Sequence, residues 1–245
     1  MDQVITKAVI LAAGRGLRMK ERGDETPKGF ICLGGKPIIE HSLEALISCG
    51  IREIMIVTGY KNEFFEKLKE TYPEIETVQN LKFADTGTMD SLSCAHDFVD
   101  SDFILLESDL IYDPEAINHI INAPFNDCLL ISGTTDAGDE VYVGGGENRV
   151  ARLSKVTDEI RNPVGEYIGI AKISRKLYSR LQQVAKPLSV SNSNLSYDMD
   201  CFTEVAKEYQ LNFIKIDGLD WAEIDDKNQL MRAQKVWERI KAKRP

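Results

Sequence analysis

The sequence contains no C-x-x-C pair, although it has five cysteines. They are dispersed and odd in number, which argues against a disulfide framework and against a zinc site. No apolar run reaches the ~18 residues of a membrane-spanning helix, and the N-terminus lacks the pattern of a signal peptide. We therefore expect a reducing, cytoplasmic compartment and no membrane partner.

Basic residues are in the minority, with 30 Lys and Arg against 39 Asp and Glu and a formal net charge of −9. A general nucleic-acid binder would present a broad basic face, so we expect no nucleic-acid partner. Histidine is scarce too: the three histidines fall inside predicted helices, and no G-x-S-x-G, H-E-x-x-H or Cys-His motif accompanies them. The residues therefore favour a transfer to an acceptor that is already an oxyanion, which needs only positioning and charge neutralisation.

The most informative stretch is residues 9–30, where a short apolar strand leads into a basic loop that contains Gly14 and Gly16. Glycines allow backbone amides to approach an anion closely. A dinucleotide-binding turn is disfavoured because Met19 stands at the third glycine position, and a Walker loop because no G-K-S or G-K-T follows. The loop closes at Pro27 and Lys28, and we interpret it as a phosphate-binding loop rather than a purely structural turn.

Strands alternate with helices along the first half, which predicts a parallel sheet covered on both faces. The second half adds short strands, with a turn predicted at 144–146, a helix capped by Ser174 and a last helix opened by Asp226. The length of 245 residues suits one α/β domain. Within that single domain, 1–245, we expect an inserted β-rich part at about 133–200 to recognise an acceptor.

Two acidic segments follow short apolar stretches far apart in the chain, and they end at Asp109 and Asp225. Carboxylates at the carboxyl ends of strands are placed to meet a ligand, and Mg²⁺ takes one or two of them together with substrate phosphates. We favour a metal-binding role for both, although either could be a solvated or capping acid. Asp226 is predicted to be the cap, and Glu107 and Glu223 are expected to point away from the metal.

Several of these residues resemble the nucleoside-triphosphate transferase family, in particular its cytidylyltransferase branch that acts on phosphocholine or 2-aminoethylphosphonate. The matching residues are L-A-A-G-R-G at 11–16, Arg18, T-P-K at 26–28, I-V-T-G-Y at 56–60, Asp109 and E-I-D at 223–225. The resemblance implies an α/β fold, a Rossmann-like three-layer, mostly parallel sheet of the nucleotide-diphospho-sugar transferase kind. It also implies a Mg²⁺-dependent reaction of CTP with a small aminoalkyl phosphonate or phosphate, releasing pyrophosphate.

The resemblance also implies roles for individual residues. Arg18 and Lys28 would hold the phosphates, and Lys28 would stabilise charge on the α-phosphate. Thr88 and Ser91 would lie near the base or ribose, although they could instead cap a helix. The full set of expected nucleotide-binding residues is Leu11, Ala12, Ala13, Gly14, Arg15, Gly16, Thr88 and Ser91.

The acceptor is expected to be 2-aminoethylphosphonate, because T-G-T-M-D-S-L at 86–92 looks most like that branch and departs from sugar-phosphate members. A primary ammonium needs hydrogen-bond acceptors, whereas a quaternary choline prefers aromatic rings. Candidates for the acceptor site are Glu166, Asp198, Asp200 and Trp221.

Three alternatives remain open: a phosphocholine cytidylyltransferase, a sugar-1-phosphate nucleotidyltransferase, and a nucleotide-binding regulator without turnover. Some members of the branch are fused to a downstream aminotransferase. The resemblance therefore adds such a domain, following this chain, as an expected partner.

Overall fold

The strands of the protein were identified in a computed structural model that describes residues 4–15 and 26–243. They are β1 (Lys7–Ala12), β2 (Cys32–Leu33), β3 (Lys36–Pro37), β4 (Glu53–Thr58), β5 (Ile75–Gln79), β6 (Phe103–Glu107), β7 (Leu110–Tyr112), β8 (Cys128–Ser132), β9 (Tyr142–Gly146), β10 (Arg149–Ser154), β11 (Pro163–Ile173), β12 (Asn212–Ile216) and β13 (Trp221–Glu223).

Helices of three kinds connect the strands. The α-helices are α1 (Ile38–Ser48), α2 (Glu63–Leu68), α3 (Thr88–Cys94), α4 (Glu115–Ile121), α5 (Arg175–Leu188), α6 (Thr203–Ala206) and α7 (Lys227–Ala242). Short 3₁₀ turns lie at Lys28–Phe30 and Thr157–Glu159, and a π-helix at Tyr197–Phe202. None of the helices in the described residues is both long and apolar enough to cross a membrane.

The main sheet has the order β5-β4-β1-β6-β11-β8-β12-β10-β9. Strands β5, β4, β1 and β6 are parallel, as predicted, and β12 runs parallel to β8. Strand β11 lies antiparallel between β6 and β8. The expected three-layer α/β fold is confirmed, with antiparallel pairing introduced where the second half of the chain joins the sheet.

Strand β1 shows why the sheet needs a cover on each face. All six of its residues are buried. Val9 and Leu11 belong to the apolar core that contains residues of α3 and α5, whereas Ala8 and Ile10 belong to the core that contains residues of α1 and α4. Alternate residues of a strand point to opposite faces, so a continuous apolar run marks a strand buried on both sides.

Local capping chemistry appears where the sequence predicts it. The Ser174 side chain accepts a hydrogen bond from the backbone N–H of Leu177 at the start of α5. Asp226 begins α7 with a capping box in which Gln229 is the reciprocal partner. The five cysteines are all free thiols. These observations confirm the two predicted caps and the absence of a disulfide framework.

The turn predicted at 144–146 is wrong. These three glycines lie at the end of β9, and the turn to β10 is made by Glu147 and Asn148, whose φ angles are 52° and 59°. The glycines serve close strand packing instead: a Cβ on Gly145 would come within 2.1 Å of the carbonyl oxygen of Arg149. Farther along the chain, the π-helix Tyr197–Phe202 continues directly into the short helix α6.

Candidate active site

A cleft of about 310 Å³ opens beyond the carboxyl ends of β1 and β6. The chain leaves β1 toward β4 and β5 on one side and then crosses to β6 on the other, so the strand order reverses at this point. Open α/β sheets bind their ligands at such a reversal. The lining of the cleft includes Leu11, Ala12, Ala13 and Gly14 from the end of β1 and Glu107, Ser108 and Asp109 from the end of β6.

Lys28, Asp109 and Asp225 meet at this cleft. The Lys28 ammonium donates a hydrogen bond to Oδ2 of Asp109 at 3.1 Å and also to Oδ1 of Asp225. The side chains are 19%, 13% and 7% exposed, respectively, so the ion pairs are largely screened from solvent. The three residues on which the sequence-based mechanism depends are therefore brought together by the fold.

A small antiparallel ribbon explains why two aspartates more than 100 positions apart become neighbours. Strands β7 and β13 pair with Leu110 opposite Glu223, and the N–H of Ile224 donates to the carbonyl oxygen of Asp109 at 3.0 Å. Asp109 precedes one strand and Asp225 follows the other. Antiparallel pairing therefore places them at the same end of the ribbon.

The ribbon is held by a third apolar core against α7. Ile111, Ala222 and Ile224 are buried there together with Val236 of that helix. Gln229 on the same helix accepts hydrogen bonds through its side-chain oxygen from the backbone N–H groups of Asp225, at 2.5 Å, and Asp226, at 3.1 Å. The C-terminal helix thus fixes the backbone that carries Asp225.

Further carboxylates surround the ion pairs. Oxygens of Glu107, Asp109 and Glu223 lie within 4.8 Å of one another, and so do those of Asp139, Glu223 and Asp225. The expectation that Glu107 and Glu223 point away is therefore wrong. Alternation places residues two positions apart on the same face of an extended chain, so Glu107 shares a side with Asp109 and Glu223 with Asp225.

Two of these acids lie in an environment that disfavours their charged forms. Burial raises the pKa of Glu223 to about 7, and the nearby carboxylate of Asp109 adds to the effect. Burial, followed by the charges of Glu223 and Asp109, raises the pKa of Glu107 well above its ordinary value. An all-oxygen, carboxylate-rich donor set of this kind fits a hard divalent cation such as Mg²⁺.

The end of β1, where the sequence predicts nucleotide binding, forms one side of the cleft. The carbonyl oxygen of Ala13 accepts a hydrogen bond from the N–H of Tyr60 at 3.2 Å, which links this turn to the end of β4. Among residues 4–15 and 26–243, no heavy atom lies within 4 Å of the position that a Cβ on Gly14 would take, so these residues leave room for a ligand to approach the backbone there. Arg15 lies over the ring of Phe83 at 5.4 Å. Arg18, predicted to hold the phosphates, and Gly16, predicted to bind the nucleotide, lie outside the described residues.

Thr88 and Ser91 line the cleft but do not cap α3. The N-cap residue is Gly87, which makes no side-chain cap. The Thr88 hydroxyl accepts a hydrogen bond from the N–H of Tyr197 at 3.2 Å, and the Ser91 hydroxyl accepts one from the side-chain amide of Asn80 at 3.1 Å. The capping alternative is therefore wrong, and both hydroxyls are fixed beside the cavity.

Of the residues predicted to bind the acceptor, Asp198 lies in the cleft wall, where the π-helix places it. Next to it, the Tyr197 hydroxyl donates to Oε1 of Glu107 at 2.7 Å and lies 3.4 Å from the hydroxyl of Tyr167. The pairing register of β11 shifts between Tyr167 and Ala171, around Gly169 with a φ of 78°. Irregular backbone in both elements thus directs polar groups toward one wall, as π-helical turns often do at functional sites.

The other three predicted acceptor residues do not line the cavity. Glu166 is buried and accepts hydrogen bonds from the backbone N–H of Thr135 at 2.9 Å and from its hydroxyl at 3.2 Å. Asp200 accepts from the backbone N–H of Ser196 at 2.8 Å. Trp221 belongs to the apolar core, and its indole N–H donates to Ser132 at 2.9 Å.

The sequence interpretation missed a cation on this side. Lys155 follows β10, is exposed, and lines the cleft beside Asp198. Burial is the largest effect on the Asp198 carboxyl and raises its pKa. The charge of Lys155 partly opposes this rise. No sequence signal singles out Lys155, because it stands in a loop with no motif around it.

The chain was also compared with known proteins. Residues 8–188 match the model of the MobA-like NTP transferase domain. The chain belongs to this family. It is therefore a nucleotidyltransferase, as the resemblance implied.

Two relatives and one solved structure illustrate the similarity. A 2-aminoethylphosphonate cytidylyltransferase of Lancefieldella rimae is 28% identical over 230 residues, 92% of this chain and 90% of that protein. A CTP:phosphoglutamine cytidylyltransferase of Campylobacter jejuni is 27% identical over 247 residues, covering 89% of this chain and 95% of the relative. The inositol-1-phosphate CTP transferase from T. maritima has a TM-score of 0.83 at 20% identity, with 98% of both chains covered, and it supports the fold.

Proposed function

We propose that this nucleotidyltransferase joins CTP and 2-aminoethylphosphonate to give CMP-2-aminoethylphosphonate and pyrophosphate. The observation that carries the proposal is the Lys28 ammonium between Asp109 and Asp225 at the strand-order reversal. The two relatives described above are both named as cytidylyltransferases, which supports CTP as the donor. The first of them supports the acceptor.

The reaction needs no protein nucleophile. An ionised phosphonate oxygen attacks the α-phosphorus of CTP and forms the new P–O bond, while the bond to the bridging oxygen of the β-phosphate breaks and pyrophosphate leaves. Lys28 stabilises the negative charge that develops on the α-phosphate oxygens. Arg18, which lies outside the described residues, is proposed to hold the phosphate tail. Positioning and charge stabilisation are the main contributions that proteins make to such transfers.

Asp109 and Asp225 would hold the divalent cation, proposed here to be Mg²⁺. When bound, it neutralises charge on the phosphates of the nucleotide. Leu11, Ala12, Ala13 and Gly14 would contact the cytidine, with Thr88 and Ser91 offering two fixed hydroxyls near the base or ribose. Arg15 and Gly16 remain proposed contributors to the same loop.

The acceptor side suits a zwitterion. Its wall combines the acids Glu107 and Asp198 with one cation, Lys155. A primary ammonium can donate hydrogen bonds to the acids, and a phosphonate can pair with a lysine. We therefore propose Asp198, rather than Glu166, Asp200 or Trp221, as the residue that reads the amine.

Pyrophosphate release tests the proposal. Purified protein receives CTP, ATP, GTP or UTP with Mg²⁺ and one acceptor from a panel of 2-aminoethylphosphonate, phosphocholine and glucose 1-phosphate. We expect release only with CTP and a preference for 2-aminoethylphosphonate; a preference for phosphocholine or for a sugar phosphate would identify the acceptor differently.

The same experiment separates an enzyme from a regulator. A regulator would bind CTP, detectable by calorimetry, without releasing pyrophosphate in the presence of any acceptor. The Asp198→Asn variant is the matched probe of the amine site. We expect it to raise KM for 2-aminoethylphosphonate while leaving KM for CTP unchanged, and equal effects on both would remove Asp198 from the acceptor site.

A further inference from the structure

The Lys28 ammonium contacts the same two carboxylates that would hold the divalent cation. It donates to Oδ2 of Asp109 and to Oδ1 of Asp225. A lysine ammonium and a metal ion compete for these oxygens, because both need to approach them directly. The cation therefore gains both carboxylates only after the ammonium has left them.

The backbone beneath Lys28 is held firmly, so the side chain is the part that can move. Within the 3₁₀ turn, the N–H of Phe30 donates to the carbonyl oxygen of Pro27 and that of Ile31 to the carbonyl oxygen of Lys28. A Cβ on Gly29 would come within 3.2 Å of the backbone of Ser108, which shows how closely the turn packs on the end of β6. The four-carbon stem of a lysine can reorient from such a fixed point.

A triphosphate is the group that would draw this ammonium away. The cleft beside Lys28 is lined by the end of β1, where no described residue crowds the position of a Cβ on Gly14. A nucleotide bound there brings several negative charges within reach of the lysine. Moving Lys28 onto the phosphates removes its ammonium from both carboxylates at the moment when a cation can bind them together with the same phosphates.

We propose that Lys28 acts as a placeholder that occupies the metal-binding carboxylates until the nucleotide arrives, so that this protein has little affinity for a divalent cation alone. The inference rests on the proposed function, since it needs a nucleotide with a phosphate tail. It makes metal and nucleotide binding mutually dependent, because coupling between two ligands is reciprocal. Lys28 is thus a positioning residue for the aspartates in one state and a phosphate ligand in the other.

Manganese binding without nucleotide tests the inference. Mn²⁺ is titrated into wild-type protein and free ion is followed by electron paramagnetic resonance, with no CTP or acceptor present. We expect weak binding to the wild type and at least about tenfold tighter binding to Lys28→Met, in which the stem remains but the charge is gone. Equal affinities in the two proteins would overturn the inference.

A matched control separates the local effect from the change in net charge. Lys36 is 37% exposed in its side chain and pairs with Glu44 at 2.5 Å, on the surface. Lys36→Met removes the same charge and should bind Mn²⁺ as the wild type does. Tighter binding in this control to the same extent as in Lys28→Met would mean that overall charge, rather than Lys28, limits the metal.

The wild type alone also decides the matter, which covers the case in which Lys28→Met does not fold. Tight binding of Mn²⁺ to wild-type protein without nucleotide would overturn the inference. Because this measurement involves no turnover, that result would leave the proposed CTP reaction intact. If no pyrophosphate is released, the proposed function fails, whereas the Mn²⁺ titrations still show whether Lys28 weakens metal binding.

Discussion

Glu166 offers a prediction whose size can be worked from the structure. This residue of β11 is 2% exposed and its carboxylate is held by the backbone N–H and the hydroxyl of Thr135. Burial raises the pKa of Glu166 from the ordinary 4.5 to about 7, and the hydrogen bonds from Thr135 only partly oppose this. We predict that Glu166→Gln stabilises the protein relative to the wild type as the pH rises.

The sign follows from proton binding. Between pH 4.5 and about 7 the folded protein keeps the proton of Glu166 while the unfolded chain has lost it. The contribution of this residue to stability is therefore complete at lower pH and is lost as the pH rises through that interval. At about 1.4 kcal/mol per tenfold change the limit is about 3 kcal/mol. Between pH 5 and pH 8 we expect a change of about 2 kcal/mol, because part of the loss already occurs below pH 5.

Urea unfolding of wild type and Glu166→Gln at pH 5 and pH 8 measures the effect. The variant amide can still accept from Thr135, so the difference in unfolding free energy should move by about 2 kcal/mol in favour of the variant between the two pH values. Glu76→Gln, at an exposed position of β5, is the control, and its difference should not move. A constant difference for Glu166→Gln would refute the reasoning.

Four further variants test the site. Asp109→Asn should lower kcat by about 100-fold or more, since it removes a charge at the reacting phosphates; near-normal turnover with an intact circular dichroism spectrum would remove it from the chemistry. Asp225→Asn should raise the Mg²⁺ concentration needed for half-maximal rate. Asp226→Ala, which loses a helix cap, should lower Tm by about 2–4 °C and leave the Mg²⁺ titration unchanged. The reverse pattern would exchange the roles of the two residues. Gln229→Ala, which loses contacts to Asp139 and to the backbone of Asp225, should also raise the Mg²⁺ requirement, and an unchanged metal titration would make Gln229 merely structural.

Local patterns in the sequence were sufficient for the elements that depend on local chemistry. The apolar run of β1 predicts a strand buried on both faces, and Ser174 and Asp226 predict helix starts, because each of these features is decided by neighbours in the chain. The sequence also predicted that Asp109 and Asp225 meet, because each follows a short apolar stretch and carboxylates at strand ends are placed to meet a ligand. Their metal-binding role stays a prediction.

Features that depend on distant contacts were missed. Strands β7 and β13 have three residues each, which is too short for an alternating pattern, so the ribbon between them has no sequence signal. The glycines of β9 indicated a turn because their use in close strand packing depends on a partner strand. Glu107 and Glu223 were placed wrongly because each stands two positions before an aspartate, a spacing that puts both side chains on the same face rather than on opposite faces.

The ribbon formed by β7 and β13 also has a consequence for biosynthesis. Most strands of the main sheet precede residue 174, whereas the second aspartate, Asp225, follows β12 and β13 in the chain. During translation the emerging protein would carry its glycine turn and first acid long before it could assemble the complete ion-pair triad. Catalytic competence would therefore arise only when the last helix has left the ribosome and docked, so a chain cut short before β13 would remain inactive however well its sheet had formed.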